Sequence, residues 1–210
     1  MNSCTSFSAL KNQEKEYRKK FIADVAVKMF VERPFNQITL RSIADEVGIT
    51  PAAIYSYFPD KNDLFAEVYV VSGDSLMSEF NEMISDNREL SVKDVALKYV
   101  SHFHDGTGKG RHFNIILQFM LDESISSAQW EKINATNRLF TNLIAEFFRT
   151  LNADAEVKML AQSFIAALNG VLLTAKNYPK KKDKEILEHI KARTALIAEL
   201  FEERIKRRQS

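Results

Sequence analysis

Between positions 39 and 61 the chain reads Thr-Leu-Arg-Ser-Ile-Ala-Asp-Glu-Val-Gly-Ile-Thr-Pro-Ala-Ala-Ile-Tyr-Ser-Tyr-Phe-Pro-Asp-Lys. The groups able to do chemistry there include hydroxyls on Thr39, Thr50 and Ser56, phenols on Tyr55 and Tyr57, the Arg41 guanidinium and the Lys61 ammonium. This set lacks a nucleophile with an adjacent base. It is suited to hydrogen bonding with phosphate oxygens and base edges. Thr39 precedes an apolar-periodic run and can accept from first-turn N–H groups, as an N-cap does. Leu40, Ile43, Ala44 and Val47 fall on one helical face, and Ala44 is small where a second helix must cross. Gly48 can take the left-handed conformation that a sharp stop requires. Ile49 plugs the gap, Thr50 caps a second helix, and Pro51 occupies its first position, where a missing N–H costs nothing. Ile54 and Phe58 then face inward. Pro51, Ala52, Ala53, Tyr55, Ser56 and Tyr57 are left outward or to the flanks. A helix so capped and clad has the geometry to enter the major groove of DNA. An ordinary helical hairpin shares the glycine and the cap, but leaves the exposed aromatics unexplained.

The elements that must position these groups are helical throughout. Only six glycines and four prolines interrupt 210 residues, and the apolar spacing is that of helices. The expected fold is all-α with nine helices, at about 11–31, 39–46, 50–56, 60–86, 91–105, 110–123, 126–151, 154–177 and 183–207. Ser91 with Asp94, and Ser126 with Gln129, read as helix starts. The net charge is +1, so attraction to a polyanion must be local, which suits a sequence reader better than a coating protein. Cys4 is the one cysteine, which excludes an intrachain disulfide and fits a reducing cytoplasm. Residues 1–10 do not read as a signal peptide, and no long uninterrupted apolar run suggests a membrane span.

The stretch from about Phe21 to Tyr69 resembles the DNA-binding domain of the TetR family of transcriptional regulators. The resemblance is carried by a helix ending in Ala26 to Phe30 and by Thr-x-x-x-Ile-Ala-x-x-x-Gly at Thr39 to Gly48. Ile-Tyr-x-x-Phe at Ile54 to Phe58, and Lys61 followed by Leu64, complete it. It implies a flexible tail at 1–10, a three-helix helix-turn-helix domain at 11–58, and a helical ligand-binding and dimerisation domain at 59–210. By that resemblance Lys61 pins a phosphate at the start of the fourth helix, with Asp60 and Asp63 as a capping pair around it. Tyr55 and Tyr57 give hydroxyls to phosphates or base edges, and Thr39 and Thr50 offer hydroxyls and helix N-termini to the backbone. Arg41 is the candidate for bidentate contact with guanine, and Ala52 and Ala53 touch thymine methyls or permit close approach. Many family members have a basic residue and a glycine where this chain has Pro51 and Ala52. Lys19 and Lys20 are candidates for flanking phosphates or an ordinary solvated face.

Two further expectations concern the rest of the chain. The middle is rich in aromatic residues, whose default reading is core. The resemblance implies an inducer site among these helices, so Phe103, Phe113, Phe119, Trp130, Phe140 and Phe164 are candidate linings for an apolar or aromatic small molecule. His102, His104, Asn134 and Asn137 are candidate polar anchors. The last two helices carry broad apolar surfaces that can close the chain's own core. The resemblance implies that they form a homodimer through Phe164, Leu168, Val171, Leu172, Leu196, Leu200 and Phe201, and hence a near-palindromic DNA site. Gly106-Thr-Gly-Lys-Gly110 lacks the strand and hydroxyl of a phosphate loop. His102 and His104, two apart, do not share a helical face, so no metal site or cofactor is expected. No catalytic constellation is visible, and the chain is not expected to be an enzyme. The leading expectation is a cytoplasmic repressor released from its double-stranded operator by a small effector. The alternative is a DNA-binding protein of the same fold controlled by a protein partner or by chromosomal sites, without an inducer.

Overall fold

A computed structural model describes residues 7–33, 37–86, 89–104, 124–151, 156–175 and 183–207. Among them are eight helices and no strand. These are α1 (Phe7–Glu32), α2 (Leu40–Val47), α3 (Pro51–Tyr57), α4 (Lys61–Ser85), α5 (Val92–Phe103), α6 (Ser127–Thr150), α7 (Val157–Ala175) and α8 (Asp183–Lys206). The helix expected at 110–123 lies outside the described residues, as do Phe113 and Phe119. α1 is already helical at Phe7, inside the stretch expected to be a tail.

The described residues fall into two compact units. The first gathers the chain through Ser72 together with 124–133. The reading from sequence divides the chain at 58, whereas this boundary falls within α4. The physical reason is a shared core: Leu64, Phe65, Val68 and Val71 of α4 are buried with Ile22, Phe30, Ile43, Ile54 and Phe58, and Ile125 and Ile133 join them. Phe30 and Phe65 pack with ring centroids 5.2 Å apart. Each such buried Phe or Ile contributes about 1.5–3 kcal/mol relative to exposure.

The second unit is built on α5, α7 and α8, which pack on one another. α5 opens on a capping box: Ser91 Oγ accepts from the Asp94 N–H at 3.2 Å, and Asp94 Oδ2 accepts from the Ser91 N–H at 3.0 Å. Its buried residues Val92, Val95, Ala96, Tyr99, Val100 and Phe103 recur at helical spacing. Tyr99 donates its hydroxyl to Asn169 of α7 at 2.7 Å. Phe164, Leu168, Val171 and Leu172 turn inward on α7 and are at most 5% exposed. The face of α7 left outside carries Met159 and Leu173, and α8 leaves Leu196 and Leu200 outside, all four about half exposed or more. Gly73 of α4 lies against α6, where a built Cβ would overlap Cγ2 of Thr136.

One ion cluster in this unit gives a pH dependence. Glu79 of α4 accepts from Lys98 Nζ at 2.6 Å and pairs with His102 Nδ1 at 2.9 Å. Burial pushes the Glu79 carboxyl up, but the hydrogen bonds and charges of Lys98 and His102 outweigh it and hold the group below its ordinary value. A carboxylate depressed in the folded state stabilises fully above its unfolded pKa, and that stability is lost as pH falls through the folded value. Chemical denaturation followed from pH 6 into the acid range is therefore expected to show a smaller loss of stability for Glu79→Gln than for the parent.

Candidate nucleic-acid interface

The helix-turn-helix is assembled by local hydrogen bonds. Thr39 Oγ1 accepts from the Ser42 N–H at 3.1 Å and Ser42 Oγ accepts from the Thr39 N–H at 2.9 Å, which closes the first turn of α2. α2 stops at Gly48, whose φ of 78° lies in the left-handed region. The Gly48 and Ile49 N–H groups then return to the Asp45 and Ala44 carbonyls at 3.3 and 3.0 Å. Thr50 Oγ1 accepts from the Ala53 N–H at 3.2 Å, and Pro51 follows as the first residue of α3. Loss of such a cap costs about 1 kcal/mol.

This geometry fixes what α3 shows. Ile54 and Phe58 are buried, while Pro51, Ala52, Tyr55 and Ser56 are exposed and Ala53 and Tyr57 are half-buried. Ser56 Oγ donates back to the Ala53 carbonyl at 2.6 Å, so its proton is spent within the helix. Arg41 is exposed on the first turn of α2. Tyr57 is engaged from α1: Arg18 donates to its hydroxyl oxygen at 3.3 Å. Arg18 was not among the sequence candidates, since 39 positions separate the pair and no local pattern joins them.

Lys61 is the first residue of α4, half-buried, with its ammonium 5.2 Å from the centroid of the Phe65 ring. Burial lowers its pKa. The start of α4 is set by Asp60, whose Oδ1 accepts from the Asp63 N–H at 2.8 Å. A second residue absent from the sequence reading of this site is Gln129. Its amide oxygen accepts from the Ser126 N–H at 2.9 Å, and Ser126 Oγ accepts in turn from the Gln129 N–H at 3.3 Å. Its Nε2 donates to Asp63 Oδ1 at 3.0 Å and lies 3.4 Å from Asp60 Oδ1. One amide, 5% exposed, thus caps its own helix and holds the carboxylates that open α4. Asn62 to Ser124 at 2.9 Å and Lys132 to Glu67 at 3.3 Å add two ties between the same segments.

The candidate effector-site residues that are described lie as follows. Phe103 and Phe140 pack around Tyr99, with centroids 5.1 and 5.5 Å from its ring. Phe164 packs with Phe148 and Phe201, at 5.3 and 5.1 Å. Trp130 packs on the core of the first unit. His102 is engaged by Glu79, and Asn134 and Asn137 are exposed on α6. Among the described residues, no group of three His, Cys, Asp or Glu is placed to hold a metal ion.

Replacing Gln129 by leucine would leave the Asp60 and Asp63 carboxylates without its amide protons and open the turn at Ser126. Urea denaturation is expected to report a loss of about 1–3 kcal/mol, the usual cost of orphaned buried partners.

Residues 22–68 match the family model for bacterial regulatory proteins of the tetR family. The chain is 38% identical over 60 residues to the HTH-type transcriptional regulator AcrR of Shigella flexneri, covering 29% of this chain and 28% of that protein. It is 32% identical over 77 residues to the nucleoid occlusion factor SlmA of Shewanella amazonensis, covering 37% of this chain and 39% of that one. Both matches span less than two-fifths of the relative's length. Solved structures share the fold over most of the chain. A transcriptional regulator from Cytophaga hutchinsonii aligns with a TM-score of 0.61 at 18% identity, over 88% of this chain and 96% of its own. The TetR family regulator PfmR of Thermus thermophilus aligns at 0.58 and 16% identity, over 85% and 97%. Residues 22–68 are thus similar to the helix-turn-helix domain of the tetR family of bacterial regulatory proteins, and the chain as a whole shares the fold of solved regulators of that kind.

Proposed function

We propose that this protein is a cytoplasmic transcriptional regulator. It binds a near-palindromic operator as a homodimer, represses from it, and is released by an apolar or aromatic small molecule. The observation that carries the DNA reading is α3 itself. It is capped at Thr50, anchored inward by Ile54 and Phe58, and shows solvent a face of Pro51, Ala52, Tyr55 and Ser56. A face of small residues bearing the Tyr55 phenol lets the helix approach a groove closely and offers a donor to phosphates or base edges.

Homodimerisation is supported by the outer faces of α7 and α8. By length and composition α7 is apolar enough to cross a bilayer. One side of it is packed within the second unit, and the other shows Met159 and Leu173, with Gly170 offering room for close approach. Leu196 and Leu200 form the equivalent stripe on α8, 57% and 58% exposed. These residues, rather than the buried Phe164, Leu168, Val171 and Leu172, are the surface a second copy meets. Two-fold pairing then gives two half-sites about one helical turn of DNA apart or somewhat more.

Effector control is supported by two buried polar atoms of the second unit, His104 Nδ1 and Thr194 Oγ1, that find no hydrogen-bond partner among the described residues. Such atoms cost about 1–3 kcal/mol each when unsatisfied, and a ligand's polar group would relieve that cost. A specific observation favours the alternative of control by a protein partner or chromosomal sites. Phe80, Tyr99, Phe103 and Phe140 already pack on one another at 5.1–5.5 Å, as a filled core does. Thermal shift against apolar and aromatic compounds separates the two, because a ligand present at 100 times its Kd stabilises by about 2.7 kcal/mol.

The DNA reading is tested by selecting duplexes from a random library and footprinting the winner. A near-palindromic protected site is expected, with Tyr55→Ala weakening binding and leaving the melting temperature unchanged. Lys61→Ala should lower the salt slope by about one per protomer, the share of a single neutralised phosphate. Unchanged affinity and slope would remove Lys61 from the phosphate-binding set. For the dimer, Leu196→Glu with Leu200→Glu is expected to give a monomer by light scattering, and a dimer in that variant would place the interface elsewhere.

A further inference from the structure

Among the described residues, the amino-terminal half of α1 stands clear of any core. Every residue from Phe7 to Arg18 is exposed, which leaves about three turns of helix in solvent. Isolated helices of this length are marginal in water, so the stretch has reason to find a partner. Its cations lie on one face: Lys11, Lys15, Arg18 and Lys19 stand at i, i+4, i+7 and i+8. The same stripe continues down the helix as Ile22, Ala26 and Met29, which are buried in the first unit's core. The basic face therefore overhangs the side on which α1 packs. Arg18 marks that direction by its hydrogen bond to Tyr57 of α3 at 3.3 Å. Arg18 and Lys19 also pair with Glu14 and Glu16 at 2.6 and 3.4 Å. The Arg18–Glu14 pair is exposed on both sides, and a pair so exposed is worth little and exchanges readily for a phosphate, whereas Lys19 is half-buried.

We propose that this overhanging half of α1 is a second DNA-binding element, lying along the phosphate backbone beside the site contacted by α3, with Lys11 and Lys15 each on a phosphate. The inference rests on the DNA reading of α3. Lys11 and Lys15 are about 6 Å apart along the helix axis, and each strand of duplex DNA presents a phosphate about every 3.4 Å of the duplex axis. Each ammonium therefore has a phosphate within reach. Such contacts carry no sequence information; they lengthen the footprint and raise affinity on all sequences alike. A neighbouring face carries Phe7, Leu10, Tyr17 and Phe21, all more than half exposed. A basic helix with such a stripe also suits an anionic membrane surface. Duplex DNA is favoured because the cations, not the apolar stripe, continue the face that reaches Tyr57.

The test uses the full-length protein and a Lys11→Gln, Lys15→Gln double variant. Both sites are exposed, and an unchanged melting temperature verifies folding. Binding is measured by fluorescence anisotropy across a KCl series. The duplexes are one selected by the parent protein, with long flanks, and the same duplex trimmed to the shorter core that the double variant protects. The salt slope is expected to fall by about two per protomer in the variant. Trimming the flanks should weaken the parent and leave the variant unchanged. Equal slopes and affinities on the long duplex overturn the proposal. If the parent selects no sequence, the reading of α3 fails. The α1 inference is then decided on a mixed-sequence duplex, where a slope lowered in the variant sustains it and equal slopes overturn it. Equal slopes together with sedimentation on phosphatidylserine vesicles, abolished in a Phe7→Ser, Leu10→Ser variant, would assign the helix to a membrane instead.

Discussion

The first unit depends on a backbone constraint at Gly48. With φ at 78°, α2 ends there in one residue, and the next two N–H groups close back on the carbonyls it leaves behind. A side chain at this position would carry a penalty of about 1–2 kcal/mol for the left-handed conformation. The direction of the chain after that turn sets the phase of everything that follows. Ile49 is half-buried, Thr50 reaches the Ala53 N–H, and Ile54 and Phe58 land in the core. The exposed face of α3 is a consequence of that phase as much as of its own residues.

Polar contacts do the complementary work where α4 begins. The core around Phe30, Phe65 and Ile133 holds the segments together without direction, since apolar packing is non-specific in orientation. Gln129 adds direction: an amide has defined donors and an acceptor, and here each finds a partner on a helix start. Two ends that would otherwise leave orphan N–H groups are thereby registered against each other. The same division between apolar adhesion and polar register appears in the second unit, where Tyr99 meets Asn169 within a field of rings.

What the sequence made legible was local. Thr39, Gly48, Thr50, Ser91 and Asp60 act on groups within a few residues, so their spacing reports their roles, and the helix-turn-helix could be read almost residue by residue. Arg18 with Tyr57 and Gln129 with Asp63 were not legible, because 39 and 66 positions intervene and only the fold brings them together. α7 shows a different limit. Its apolar residues run nearly all round the helix, so periodicity alone does not tell the side packed inside the chain from the side left outside. That is why Phe164 and Leu168 read as surface candidates while Met159 did not.

The contact between Gly73 and Thr136 has a consequence for descent. Both residues sit where α4 and α6 come within touching distance, and the space holds one methyl group, contributed by Thr136. A lineage that acquires a side chain at position 73 must turn the Thr136 side chain, surrender bulk at 136 or let the helices part, so the two sites are coupled. Covariation between them, in sequences too distant to share an operator or an effector, would record a steric rule older than either.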